Sequence, residues 1–248
     1  MKLGLITGNS LRHNYLGTYL SQNFETIHYI ETSTVNNITK SKIMKDYFLK
    51  VQNSENLIFE KTNSIDSKAD KIFLPKGQVN NLEFKSNRLL DCDCIIVFGS
   101  SIIKDPLFSE ISDKKLINLH MGISPYYLGS ACNFWAMYDN NIQYVGGTIQ
   151  TLSRTLDMGN TLKYCYPNFN KDSFNPFDFS MEAVMETINN LPEVVNNIDK
   201  YLSKMAKPDD AKLIRHSKIN DFNDEIVTDF YKKELNLKNI TKRLINKN

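Results

Sequence analysis

The chain has 248 residues, of which 41% are apolar, 11% aromatic and 23% charged. That composition suits a globular protein with a sizeable core and excludes the disordered and collagen-like classes. Thirty basic against 28 acidic side chains leave a net charge of +2, which gives no field for coating nucleic acid.

The opening residues, Met-Lys-Leu-Gly-Leu-Ile-Thr-Gly-Asn, are interrupted too soon for the apolar region of a signal peptide, and no apolar run approaches the roughly 18 residues of a membrane helix. Cys92, Cys94, Cys132 and Cys165 have no CxxC spacing. The expectation is a cytoplasmic protein with reduced thiols, no metal, no membrane and no nucleic-acid partner.

In chain order, Leu3 to Thr7 reads as a strand closed by Gly8-Asn9-Ser10, and Leu11, Tyr15, Tyr19 and Leu20 follow at helical spacing. A strand from Thr26 to Ile30 and a helix from Ile38 to Val51 repeat the pattern. Residues 52–70 are polar and read as a partly ordered excursion, Leu82 to Leu90 as helical, and Cys94 to Phe98 as a buried central strand. A short segment from Pro106 to Ile111, a strand from Leu116 to Leu119, a helix from Asn133 to Tyr138 and a strand from Tyr144 to Leu152 come next. Alternation of this kind predicts an α/β protein with an open, mostly parallel, Rossmann-like sheet and a site at the strands' C-terminal ends.

From Val184, residues Ile188, Leu191, Val195, Ile198, Leu202 and Met205 form a helical seam crossed by Pro192. The seam is read as packing on the sheet, with Pro192 bending it or starting a second helix, although the same spacing leaves a homodimer open. Residues 1–205 are read as one catalytic domain. Residues 206–248, with a helix around Ile226, Val227, Phe230 and Tyr231, are too few for a second domain and form a short C-terminal helical extension.

The chemistry concentrates between Asn118 and Gly159. Asn118 and His120 stand two apart at a strand end, so an amide donor and an imidazole share one side. Asp157 follows 37 residues after His120 (157 − 120), past another expected strand, where an adjacent parallel strand would bring it to the same edge. An amide, an imidazole and a carboxylate with no nucleophilic Ser or Cys beside them suit direct acyl transfer to an external amine. Asn118 and protonated His120 would donate to the developing oxyanion, while Asp157 holds His120 cationic and relays the amine's proton. Gly8, Asn9 and Ser10 precede a helix, where backbone N–H groups favour an anion, and Arg12 and His13 add positive charge. These five, with Tyr126 and Tyr127 as loop aromatics, are the expected acceptor contacts. His28 and His216 carry no motif and are read as a strand residue and a surface residue.

The ordered series Asn118-x-His120, Pro125-x-Tyr127-x-Gly129, Gly146-Gly147-Thr148 and Asp157-x-Gly159 resembles the formyltransferases that use 10-formyltetrahydrofolate, over roughly residues 1–190. The resemblance implies the formyltransferase fold, a folate donor, and Asn118, His120 and Asp157 as the catalytic trio. It also implies pterin contacts from Gly99, Ser100, Ser101, Ile102 and Ile103 and from the loop Leu152, Ser153, Arg154, Thr155 and Leu156. The segment His120-Met121-Gly122-Ile123-Ser124-Pro125 departs from the family's usual His-Pro-Ser-Leu-Leu-Pro, and Leu128 stands where a basic residue is common.

Within the family, only about 40 residues after Pro208 and no strongly basic surface disfavour a tRNA acceptor. The acceptor this leaves is a nucleotide-linked amino sugar, formylated for surface polysaccharide of the O-antigen type. The alternatives are a phosphoribosyl purine precursor and hydrolysis of the folate donor.

Overall fold

The structure is a computed structural model describing residues 1–32, 41–60, 65–82 and 87–244. The expected repeat opens the chain: β1 (Lys2–Thr7), α1 (Leu11–Leu20), β2 (Glu25–Thr32) and α2 (Lys42–Phe59). The start expected for the second helix, Ile38, lies outside the described residues. That helix begins after Ser41, whose hydroxyl accepts from Met44 N, and runs on through residues 52–59. The polar excursion expected from residue 52 is therefore helical at its start, because the helix turns most of its surface to solvent and buries only Ser54 and Phe59.

β3 (Asp70–Pro75), unforeseen in the sequence, comes next, and then β4 (Cys94–Phe98). The helix expected over Leu82 to Leu90 is, in its described part, a 3₁₀ turn at Arg88–Asp91. After α3 (Leu107–Glu110) come β5 (Lys115–His120), β6 (Tyr127–Gly129), α4 (Cys132–Tyr138), β7 (Gly147–Thr151) and β8 (Thr161–Cys165). The long α5 (Pro176–Asn196) and α6 (Ile198–Lys204) precede β9 (Arg215–Ser217) and α7 (Asp224–Phe230). Among the described residues no helix is long and apolar enough to cross a membrane.

Seven strands form one sheet in the order β3-β2-β1-β4-β5-β7-β8. The five from β3 to β5 are parallel. β7 is antiparallel to β5, and β8 to β7. The parallel neighbour expected to deliver Asp157 is thus absent: β7 and β8 are two arms of a hairpin, and Asp157 sits in the loop between them.

One face of the sheet packs Leu3, Leu5, Ile96 and Ile117 against α1 and α5. The seam residues Val184, Ile188, Leu191, Val195 and Ile198 are buried in this core, as expected for packing on the sheet, while Leu202 is half-buried and Met205 exposed. Pro192 lies inside α5, and a new helix starts only at Ile198. The opposite face buries Ile6, Ile27, Ile95 and Leu107. A third cluster centres on Trp135, Phe134 and Tyr127 and is closed by Phe230 and Ile240 of the C-terminal segment.

That segment is tied down by β9, which pairs with β6. Arg215 forks onto Asp139 with Nε at 2.9 Å from Oδ2 and Nη2 at 2.7 Å from Oδ1, and stacks over Trp135. A planar guanidinium suits such a two-point contact. Ser217 Oγ donates to the carbonyls of Leu128 and Ser130. Gly129 makes this docking possible: its φ is +88°, and a Cβ there would stand 2.0 Å from Ser217 O. Replacing Gly129 with Ala adds left-handed strain to overpacking, and the expected loss is about 2 kcal/mol or more in urea unfolding. Unchanged stability would show that β9 does not bind β6 in solution.

Candidate active site

β5 ends at the open edge where the parallel part of the sheet gives way to the hairpin. Its alternation puts Asn118 and His120 on one side, opposite Gln150 and Thr148 of β7. The loop from Leu152 to Asn160 folds back over the sheet, with Thr151 N donating to Asn160 O. At its crest Asp157 takes φ +57°, a left-handed conformation Asp tolerates better than most residues. The loop brings Asp157 Oδ1 to 3.2 Å from His120 Nδ1, and Asp157 Oδ2 accepts from Gly129 N at 3.1 Å.

His120 is sealed on both sides. Its Nε2 donates to Tyr127 O at 2.8 Å while Nδ1 faces the Asp157 carboxylate. With acceptors at both nitrogens, the ring is satisfied only as an imidazolium. Burial opposes that charge, but the Cys132 sulfur and the Asp157 carboxylate beside it outweigh burial and hold the His120 pKa well above 6.5. Burial would likewise raise Asp157, and the His120 cation overrides it and leaves the carboxyl below its ordinary value. Cys132, not foreseen next to the imidazole, is 2% exposed and donates to Gly129 O.

A cleft of about 690 Å³ opens above this edge. Asn118, His120 and Asp157 all line it, as do Gly99 through Ile103, Leu152, Ser153 and Leu156. The 99–103 stretch is held by Glu31, which accepts from Ser101 N at 2.6 Å and from Gly77 N at 2.7 Å. Arg154 and Thr155 do not line the cleft. Arg154 is turned outward onto Asp105 and Ser109 and stacks on Phe108.

The acceptor contacts expected from the sequence need larger corrections. Arg12 and His13 line the cleft, but Gly8, Asn9 and Ser10 do not. His13 is buried, its Nδ1 accepts from Ser10 N, and its ring packs edge-on to Phe98 and under Gly99, whose φ of +61° leaves the needed room. Burial pushes its pKa down to about 3, so it adds no positive charge. At the start of α1 the anion is already present: Glu55 Oε1 accepts from Arg12 N at 3.0 Å and pairs with the Arg12 guanidinium at 2.9 Å.

Tyr127 is a core residue bonded to Asp139 and Asn141, and it serves the site through its backbone carbonyl. Tyr126 stacks on Tyr144 beside a separate hollow. His28 is buried on β2, as a strand residue, with Thr7 as its partner.

Gln150 and the segment from His216 to Ile219 also line the cleft and were missed. Gln150 stands two residues after Thr148, so strand parity could have found it. Nothing in the sequence points to His216, because β9 exists only through its partner β6. On β9, Arg215 and Ser217 face the body of the protein and His216 lies between them. Among the described residues no group of three or more His, Cys, Asp or Glu side chains is placed to hold a metal ion, and all four cysteines are free.

No family model matches the sequence, and no curated protein sequence does. Solved structures do match. A 4-N formyltransferase from Francisella tularensis is 14% identical, with a TM-score of 0.54 and coverage of 93% of this chain and 86% of that one. A phosphoribosylglycinamide formyltransferase from Anaplasma phagocytophilum is 14% identical, with a TM-score of 0.53 and coverage of 81% and 87%. An N-formyltransferase from Helicobacter canadensis, in complex with folinic acid and dTDP-3-aminofucose, is 14% identical, with a TM-score of 0.51 and coverage of 90% and 72%.

The ion pair makes a prediction about stability. The raised pKa of His120 contributes stability that is complete below about 6.5 and is lost as pH rises through the folded value, and the lowered pKa of Asp157 contributes stability lost as pH falls below about 4. Asp157→Asn is therefore expected to cost most between about pH 4 and 6.5, and its difference from wild type in urea unfolding is expected to shrink as the pH rises through the folded value of His120. A difference independent of pH would remove the charge from the account. The chain has the formyltransferase fold, a seven-stranded, mostly parallel α/β sheet shared with sugar N-formyltransferases and glycinamide ribonucleotide transformylases.

Proposed function

We propose that the chain transfers the formyl group of 10-formyltetrahydrofolate to the primary amine of a nucleotide-linked amino sugar. The observation that carries this reading is the imidazolium of His120, clamped by Asp157 and set beside Asn118 on the cleft floor. Such a cation in a water-poor site stabilises negative charge growing on a carbonyl oxygen. The amine nitrogen attacks the formyl carbon, the carbonyl electron pair moves to oxygen, and the Asn118 amide donates to that oxygen. On collapse the bond from carbon to N10 breaks, and N10 leaves with the proton the amine gives up. Both oxygens of Asp157 are engaged, with His120 and with Gly129 N, so its part is to hold the cation rather than to relay the proton. Cys132, the thiol nearest the imidazole, is sealed from the cleft, which favours direct transfer over a protein-bound acyl group.

Two features support a folate donor and a large acceptor together. The cleft encloses about 690 Å³ and is lined by residues as different as Arg12 and Leu156, with the apolar Ile102 and Leu156 half-exposed in its lining. The Helicobacter canadensis neighbour carries both folinic acid and dTDP-3-aminofucose, whereas the Anaplasma phagocytophilum neighbour is a phosphoribosylglycinamide formyltransferase. Incubation with 10-formyltetrahydrofolate and a panel of dTDP-, UDP- and GDP-linked amino sugars plus glycinamide ribonucleotide, read by mass spectrometry, tests the reading. A formylated nucleotide sugar is expected, with Asn118→Ala about 100-fold slower, the cost of one lost oxyanion donor. Formylation of glycinamide ribonucleotide alone, formate with no amide product, or an undiminished Asn118→Ala rate would overturn it.

A further inference from the structure

Both ring nitrogens of His120 are already bonded inside the protein, Nε2 to Tyr127 O and Nδ1 to Asp157. The imidazolium supplies a field but has no N–H left to place on a substrate oxygen. A developing oxyanion offers three lone pairs, and Asn118 alone would leave it under-coordinated. The adjacent strand carries a second amide. Gln150 is the cross-strand partner of Asn118, so the two side chains leave the sheet on the same side, into the same cleft.

Gln150 is 1% exposed, and its Oε1 is buried with no hydrogen-bond partner. No partner is found for its Nε2 either among the described residues. Turning the amide over would exchange the two ends without satisfying both. A buried polar group left open in this way weakens the fold, and such groups persist where a ligand completes them. The sheet is also irregular at this point: the pairing of β7 with β8 slips between Ile149 and Gln150. Such slips re-aim side chains and are frequent beside active sites.

We propose that Gln150 is a further catalytic residue whose amide binds the transferring formyl group beside Asn118, its NH₂ donating to the formyl oxygen and its Oε1 accepting an N–H of the attacking amine. The assignment rests on the formyl-transfer reading above. One amide spanning both groups follows the reaction: the amine lone pair forms the new carbon–nitrogen bond, the carbonyl pair moves to the oxygen held by Asn118 and Gln150, and the pair in the bond to N10 leaves with N10, which takes the amine's proton.

The test does not need the acceptor. Affinities of wild type, Gln150→Leu and Gln150→Met are measured by calorimetry for 10-formyl-5,8-dideazafolate and for the same analogue without its formyl group, together with melting temperatures. Wild type is expected to bind the formylated analogue about ten-fold more tightly, and both variants to lose that preference while melting at or above the wild-type temperature. If wild type prefers the formylated analogue and both variants keep the preference, Gln150 does not touch the formyl group and only this assignment fails. If both variants melt several degrees lower with the preference intact, Gln150 is a structural residue and the assignment fails. Wild type binding neither analogue would remove the folate reading and the assignment with it.

Discussion

A buried imidazolium is expensive to keep. Removing a lone cation from water costs several kcal/mol even after the protein relaxes, and the cost is met only when a counter-charge and hydrogen-bond acceptors are held in place. His120 meets that condition with Asp157 on one nitrogen and the Tyr127 carbonyl on the other. Three stretches of chain must therefore arrive together: the end of β5, the start of β6 just after it, and the folded-back hairpin loop. The second oxygen of Asp157 binds Gly129 N, and Gly129 is also where β9 docks. The C-terminal segment thus lies one residue away from the charge that the site is built around.

The change from parallel to antiparallel pairing gives this edge its shape. A helix-covered parallel neighbour would have left the C-terminal end of β5 open to a single loop. A hairpin instead places a second strand antiparallel to β5, so Gln150 and Thr148 sit opposite Asn118 and His120, and the hairpin's own loop covers them. Thr148 shows the same economy of contacts: its hydroxyl donates to Gly122 O and accepts from Ser124 N, fixing the turn after His120. Hydrogen bonds thus fix the floor at His120, Thr148 and Asp157.

Much of this was legible in the sequence where one local signal sufficed. The apolar runs of β1, β4 and β5 and the helical seam of α5 stand out because burial on a sheet demands them. Spacing and order singled out Asn118, His120 and Asp157, and the structure places all three in the lining of one cleft, with His120 and Asp157 paired. The path of Asp157 was not legible, since antiparallel pairing is a tertiary fact. β3, with Asp-Lys-Ile-Phe-Leu-Pro at the sheet edge, is too exposed to show a strand signature, and β6 and β9 have three residues each and exist only as a pair. His13 and Tyr127 were misjudged for one reason: residue type suggested a charge and a contact, whereas packing under Gly99 and against Asp139 made both of them interior supports.

The central claim is that His120 is a cation at neutral pH in the folded protein. Nitrogen NMR of ¹⁵N-histidine-labelled protein at pH 7 reads it directly, with a His120→Gln protein to assign the signals. The account predicts one histidine with both ring nitrogens protonated, still protonated well above pH 6.5, and that signal missing from the variant. A single neutral tautomer at His120 would contradict it, because the clamp by Asp157 and the charge on which the proposed transfer depends would both be gone.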